Sequence, residues 1–130
     1  LDCIKTKNEE KRMSVKRIIS NIKALDLASA QAFYGDFLAM DLVMDHGWIK
    51  TFASQEIMHP QISIASEGGN KTDVPDFSIE VDNVDELYEK AKKLDLDILY
   101  PLTNEDWGVR RFYVKDPFGK VVNILQHIKY

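Results

Sequence analysis

Residues 76–87 read DFSIEVDNVDEL, and this stretch decides the fold. Apolar and polar residues alternate strictly through 76–81, which is typical of a β-strand with one face in a core. Asn83 is followed three residues later by Glu86, a pair that caps the start of a helix by bonding its free backbone N–H groups. Apolar residues then recur at helical spacing, at Val84, Leu87, Tyr88, Ala91 and Leu94. The stretch therefore predicts a strand that leads directly into an amphipathic helix.

The same order of elements occurs earlier in the chain. Residues 17–25 predict a strand, and Asp26 is a capping residue for a helix that begins at Leu27, 57 positions before Val84. Three short strands are predicted after each helix. They cover 41–45, 48–54 and 61–65 in the first half, and 96–100, 109–114 and 121–128 in the second. Turn residues separate them, with Gly47 in a hairpin, a loop over 101–106, and a type I turn over 116–119.

This repetition predicts an α+β fold of two tandem βαβββ units, at about 17–66 and 75–128. Each unit forms a small sheet with a helix on one face. We expect the two sheets to join as one curved mixed sheet, a cup with its helices outside. The chain of 130 residues fits one such domain over 17–128, and residues 1–16 are expected to be a flexible leader.

Composition excludes several classes of protein. The net charge is −4, and residues 1–17 are basic while the rest of the chain is acidic, which argues against nucleic acid as a partner. No apolar run reaches the length of about 18 residues that a membrane span needs. The polar first residues predict no signal peptide, and a single cysteine, Cys3, fits a cytoplasmic protein.

Four motifs carry a resemblance to a known superfamily. In chain order they are Leu25-Asp26-Leu27 with Phe33-Tyr34, FSIEVDNVDEL (77–87), Trp107-Gly108-x-Arg110-x-Phe112, and VKDPFGK (114–120). Together they resemble the vicinal oxygen chelate superfamily of glyoxalase I, extradiol dioxygenases and bleomycin-resistance proteins. The third and fourth motifs are most similar to the bleomycin-resistance branch. The resemblance implies the paired βαβββ fold and a homodimer, formed side by side or by exchange of halves.

The resemblance also implies where a metal ion would bind. Its metal enzymes take ligands from four strands, at positions that fall here on Ile19, Ser63, Asp76 and Asn123. Ile19 has no donor atom, and only Asp76 is an anion, which suits a transition metal poorly. We therefore expect no metal and no other cofactor. An atypical ligand set that includes Asp76 and His127 is the alternative.

Strand parity predicts which side chains face the cup. The predicted ligand-binding residues are Asn21, Lys23, Trp48, Phe52, Ser63, Asp76, Ser78, Glu80, Trp107, Arg111, Tyr113, Asn123 and Leu125. Their aromatic rings suit a planar ligand. Asp76 and Glu80 favour a cationic group, whereas Arg111 favours an anionic one, so the ligand's charge stays open. Phe33, Tyr34 and Phe37 are interpreted as core residues of the first helix.

Three functions are consistent with this pattern. The first is a metal-independent binding protein that sequesters an antibiotic or an aromatic metabolite. The second is a metal-dependent lyase or dioxygenase with the atypical ligands. The third is a scaffold dimer whose cup is filled by Trp48 and Trp107 themselves. No catalytic constellation is predicted, because no Cys or Ser has an identifiable His partner.

Overall fold

The computed structural model describes residues 13–56 and 60–128, which form eight strands and two helical segments. Their bounds are β1 (Val15–Lys23), α1 (Ala28–Ala30) continuing as a π-helical segment (Gln31–Phe37), β2 (Asp41–Asp45), β3 (Ile49–Ala53), β4 (Gln61–Ala65), β5 (Phe77–Val81), α2 (Val84–Lys93), β6 (Ile98–Asn104), β7 (Val109–Lys115) and β8 (Val121–His127). Most of the predicted leader, residues 1–12, lies outside the described residues. No helix within them has the length and apolar character needed to cross a membrane.

All eight strands form one mixed sheet in the order β2-β3-β4-β1-β5-β8-β7-β6. Within the first half β1 pairs with β4 in parallel, and within the second half β5 pairs with β8 in parallel. The halves meet where β1 runs antiparallel to β5. The second half therefore repeats the first around a twofold relation between these two strands. The predicted fold of two βαβββ units is confirmed.

The larger core lies between α2 and the second half of the sheet. Val81, Val84 and Phe112 are almost completely buried there. The start of α2 is capped as predicted, because the Asn83 side chain accepts from the Glu86 N–H at 3.1 Å and donates to the Glu86 carboxylate at 3.2 Å. The strict alternation of β5 and this cap together fix where strand ends and helix begins.

A smaller core lies under the first helix and is built on Phe52, Ala30 and Ile64. The interpretation of Phe33 and Phe37 as core residues is wrong, because these residues are 51% and 71% exposed. The reason is the π-helical segment, in which Leu38 N–H bonds to Phe33 C=O five residues earlier. This wider turn rotates the two rings away from the direction that α-helical spacing predicts.

One strand is longer than the sequence predicted. β6 continues through Pro101 to Asn104, where a loop was expected. Because β6 is the edge strand of the sheet, a proline without an N–H group breaks no essential hydrogen bond of the ladder. The predicted turns are confirmed, with positive φ at Gly47 and Gly119.

Candidate ligand-binding site

The concave face of the sheet, the cup, encloses a cavity of about 510 Å³. This volume is in the range of small-molecule sites. Both halves of the chain contribute side chains to its lining. Its floor is formed by inward side chains of the four central strands, which are Ile19 and Asn21 of β1, Ser63 of β4, Ser78 of β5, and Asn123 of β8.

Apart from Ile19, the floor residues are polar and uncharged. Asn21 and Asn123 each donate a hydrogen bond from Nδ2 to Ser78 Oγ, at 3.0 and 3.1 Å. Ser63 and Thr51 share a hydrogen bond of 2.7 Å between their hydroxyl oxygens. Strand register produces two of these contacts, since Thr51 lies opposite Ser63 and Ser78 lies opposite Asn123. Among the described residues, Asn123 Oδ1 is a buried oxygen with no hydrogen-bond partner.

Two tryptophans line the cavity and contact each other. The ring centroids of Trp48 and Trp107 are 5.2 Å apart, with the rings inclined by 66°. Each residue lies just before the third strand of its half. Gly69 leaves room for both rings, because a Cβ on it would lie 2.7 Å from an atom of each. Its φ of +88° also favours glycine, so two independent constraints select this residue.

Arg111 supports the loop under the tryptophans. Its guanidinium donates to Glu105 at 2.7 Å, to the Gly68 carbonyl at 2.7 Å and to the Gly69 carbonyl at 3.2 Å. It also lies 5.1 Å from the centre of the Trp107 ring. Arg111 and Glu105 are only 3% exposed and neutralise each other. Although Arg111 lines the cavity, its hydrogen bonds are largely committed to the loop, which leaves little capacity to hold an anionic ligand.

A second charged cluster, the triad of Arg17, Glu80 and His127, joins three central strands. Arg17 Nε and His127 Nδ1 each bond to one carboxylate oxygen of Glu80, and the His127 distance is 2.9 Å. Arg17 also donates to Gln61 at 2.7 Å. Burial raises the pKa of Glu80, but the hydrogen bonds from His127 and Arg17 outweigh burial, and the net shift is downward. Glu80 is therefore ionised near neutral pH.

The structure places eight of the predicted site residues in the cavity lining and five outside it. The eight are Asn21, Trp48, Ser63, Ser78, Trp107, Arg111, Asn123 and Leu125. The five are Lys23, Phe52, Asp76, Glu80 and Tyr113. Whether the eight bind a ligand stays a prediction.

Each of the five has a physical reason for its position. Phe52 lies on the helix side of β3, because inward positions there are Thr51 and its alternate neighbours. Lys23 is exposed at the end of β1. Asp76 accepts from the Val121 N–H at 2.8 Å, and Glu80 lies beneath Arg17 and His127. The Tyr113 hydroxyl bonds to Thr72 at 2.9 Å, and burial raises its pKa.

The predicted site omitted Arg17, Thr51 and Gln61, which also line the cavity, although strand parity places Gln61 inward beside Ser63. The signal for Arg17 was present, since it shares strand parity with Ile19 and Asn21. This arginine is the first residue of the predicted strand 17–25, whereas in the structure β1 begins at Val15 and Arg17 lies within the strand. Thr51 could have been found in the same way, since it lies opposite Ser63 in the paired strand.

The donors at the implied metal positions do not fit a transition-metal ion. Ile19 offers none, and one oxygen of Asp76 already bonds to the Val121 N–H. The described residues contain no group of three or more His, Cys, Asp or Glu side chains that could hold a metal. The alternative pair is also separated. Asp76 lies beside Val121 at the start of β8 and His127 at its end, roughly 20 Å along the strand.

Restoring one acidic ligand should therefore leave metal binding weak. We expect Asn123→Glu to bind Zn²⁺ or Ni²⁺ with at most micromolar affinity, because Ile19 and the bonded Ser63 supply no further strong donor. Isothermal titration of the metal into the purified variant measures this. Leu99→Glu, at an exposed residue of the edge strand β6 outside the cavity lining, is the control for nonspecific carboxylate binding. Stoichiometric uptake at nanomolar affinity by Asn123→Glu alone would contradict this assignment of the ligand positions.

Comparison with known proteins agrees with the fold. The sequence profile described as a glyoxalase-like domain matches residues 15–129. The chain has no match among curated proteins.

Solved structures with the same fold share little sequence with this chain. A glyoxalase/bleomycin resistance protein/dioxygenase superfamily member from Vibrio splendidus 12B01 is 15% identical, with a TM-score of 0.60 over 87% of this chain and 99% of the other. NAD-dependent benzaldehyde dehydrogenase from Legionella pneumophila is 17% identical, with a TM-score of 0.69 over 85% and 99%. A hypothetical protein from Bacillus halodurans C-125 is 12% identical, with a TM-score of 0.62 over 92% and 98%. These likenesses do not single out the bleomycin-resistance branch.

Proposed function

The chain belongs to the family of glyoxalase-like domains, and on that premise we propose that its cup binds a planar, uncharged small molecule without a metal ion. The observation that carries this proposal is the pairing of an uncharged polar floor with two tryptophan rings in one cavity of about 510 Å³. Flat rings provide stacking surface, and a few hydroxyl and amide groups orient a ligand. Aromatic metabolites and aromatic antibiotics are the ligand classes that meet this description.

Most charges around the cup are compensated, which supports an uncharged ligand. Of the predicted carboxylates, Asp76 lies outside the cavity lining and Glu80 is paired with Arg17 and His127. Glu67 does line the cavity, and its carboxylate accepts from the Lys71 N–H at 3.3 Å. Arg111 is neutralised by Glu105. Placing a charged ligand beside such compensated pairs would remove its hydration without supplying a counter-charge. A strongly cationic antibiotic such as bleomycin should therefore bind weakly.

The floor favours a ligand that carries a hydrogen-bond donor. Asn123 Oδ1 has no partner among the described residues, and a buried polar atom in that state costs about 1–3 kcal/mol. A donor on the ligand would remove this cost once the carboxamide turns toward it. Because the cavity retains its volume beside Trp48 and Trp107, a cup filled by those two rings is disfavoured as the alternative.

Intrinsic fluorescence tests the proposal directly, because both tryptophans of the chain line the cavity. The probes are coumarin, quinolin-2-one and 1-naphthamide, with 1-methylquinolinium and bleomycin as cationic counterparts, all in the presence of EDTA. We expect saturable changes in tryptophan emission and a raised melting temperature with uncharged planar probes, and weaker effects with the cations. Binding that requires an added divalent metal, or no saturable change with any uncharged probe, would contradict the proposal.

A further inference from the structure

We propose that the triad of Arg17, Glu80 and His127 forms a subsite for an acidic hydroxyl group, phenolic or enolic, on the ligand in the cup. This inference rests on the proposed function, because it assigns one end of the same planar molecule. Beyond that function, the inference specifies which chemical group the ligand should carry and which end of the ligand should face the triad.

The three side chains are held side by side by one carboxylate. Arg17 lies directly opposite Glu80 in the β1–β5 register, and His127 approaches from β8. One oxygen of Glu80 accepts from Arg17 Nε, and the other is 2.9 Å from His127 Nδ1. Since the two oxygens of a carboxylate are close neighbours, the guanidinium and the imidazole are brought together above Glu80.

The ionised state of Glu80 fixes the tautomer of His127. A carboxylate has no proton to donate, so Nδ1 must carry the hydrogen in the bond between them. In the neutral imidazole, Nε2 then has a free lone pair and accepts hydrogen bonds. Within the described residues, neither His127 Nε2 nor Arg17 Nη2 makes a hydrogen bond. Both side chains line the cavity and are partly open, with 53% and 38% exposure.

His127 Nε2 is a hydrogen-bond acceptor, and the Arg17 guanidinium beside it is a cationic donor. A single hydroxyl group on the ligand can bond to both. A hydroxyl group donates its proton to His127 Nε2, and its oxygen accepts from Arg17. An acidic hydroxyl gains most, because its proton shifts toward the imidazole while the guanidinium stabilises the charge that develops on the oxygen. A methyl ether lacks the donor. A carboxylate, which is already ionised near neutral pH, lacks it too.

The subsite is also adjacent to the aromatic wall. The Gly108 carbonyl accepts from the Ile128 N–H at 3.0 Å, which holds the segment that carries Trp107 beside the end of β8 that carries His127. A planar ring near Trp107 can therefore direct a substituent toward the triad.

A matched pair of probes tests the subsite. We expect wild-type protein to bind 7-hydroxycoumarin at least about tenfold more tightly than 7-methoxycoumarin in equilibrium dialysis, because a hydrogen bond to a charged group contributes on the order of 1.5–3 kcal/mol. The neutral and ionised forms of 7-hydroxycoumarin absorb at different wavelengths. Absorbance therefore measures the ionised fraction of the probe. At the same pH near neutrality, this fraction should be larger for the bound probe than for the free probe, because Arg17 stabilises the charge on the oxygen.

Variants assign the effect to the triad. His127→Leu and Arg17→Met should each remove most of the preference for the hydroxyl probe and the extra ionised fraction, while still binding 7-methoxycoumarin. Arg110→Met is the matched control, since Arg110 pairs with Asp85 outside the cavity and should keep the preference. Circular dichroism checks that each variant is folded. If Arg17→Met fails to fold, the partly exposed His127→Leu still decides the question.

The outcomes separate this inference from the proposed function. Equal binding of both coumarins by wild-type protein, or a preference that His127→Leu retains, would overturn the subsite and leave the planar-ligand proposal standing. If neither coumarin binds and the other uncharged probes are also silent, the proposed function fails and the subsite fails with it.

Discussion

Replacing Arg111 with methionine is expected to lower the free energy of unfolding by about 3–5 kcal/mol, the usual effect of breaking a buried ion pair. The substitution removes the Arg111 guanidinium from the buried Glu105 carboxylate, which also accepts hydrogen bonds from Tyr100 and Asn70. The carbonyl groups of Gly68 and Gly69 also lose their donors. Urea unfolding followed by circular dichroism measures the loss, which is a large fraction of the stability of an ordinary domain.

A double variant distinguishes the buried charge from simple loss of packing. Arg111→Met combined with Glu105→Gln removes both charges and should be less destabilised than the sum of the two single variants. Arg111→Lys keeps the charge but not the forked geometry, and should lie between wild type and Arg111→Met. A loss below about 1 kcal/mol in Arg111→Met would show that the loop beneath the tryptophans does not depend on this side chain.

Replacing Trp107 with alanine is expected to weaken binding of a planar ligand by about 30–100-fold, or roughly 2–3 kcal/mol, while the domain stays folded. The Trp107 ring contacts Trp48 and lies over Arg111, but it is only partly buried and belongs to neither hydrophobic core. Its removal should therefore reduce stacking surface in the cup more than it reduces stability. Equilibrium dialysis with quinolin-2-one gives the affinity, and urea unfolding gives the stability.

Phe118→Ala is the matched control, because Phe118 is an exposed aromatic residue in the turn before β8, outside the cavity. It should change neither quantity by a measurable amount. Retained affinity in Trp107→Ala would mean that ligands do not stack there, and an unfolded variant would mean that the ring is part of the core.

The fold could be predicted because its signals are local. Strict alternation in 76–81, the Asn83–Glu86 cap and the turn residues between strands each act over a few positions, and the structure contains all of them. The exposed Phe33 and Phe37 could not be predicted in this way. Their direction depends on a π-helical turn, and helical periodicity alone does not distinguish that turn from an α-helix.

The candidate site was harder to predict because parity gives the face of a residue but not its partners. Parity placed Arg111 and Glu80 in the cup. In the structure Arg111 bonds to the carbonyl of Gly68 in a loop, and Glu80 bonds to Arg17, and both partners are distant in sequence. Glu80 and Arg17 are 63 residues apart and meet only through the antiparallel register of β5 with β1. Predicting the charge of the ligand required those pairings, which no local pattern in the chain encodes.

The twofold relation between the halves has a consequence for how a molecule lies in the cup. On the floor, Asn21 of β1 and Ser78 of β5 occupy equivalent places, as do Ser63 and Asn123. A floor with such similar ends would accept a planar ligand in two opposite orientations. The triad at Glu80 makes the two orientations different, because the position equivalent to Glu80 in the first half is occupied by Lys23. We therefore expect an asymmetric ligand to bind in a single orientation, which is the first requirement for telling one end of a molecule from the other.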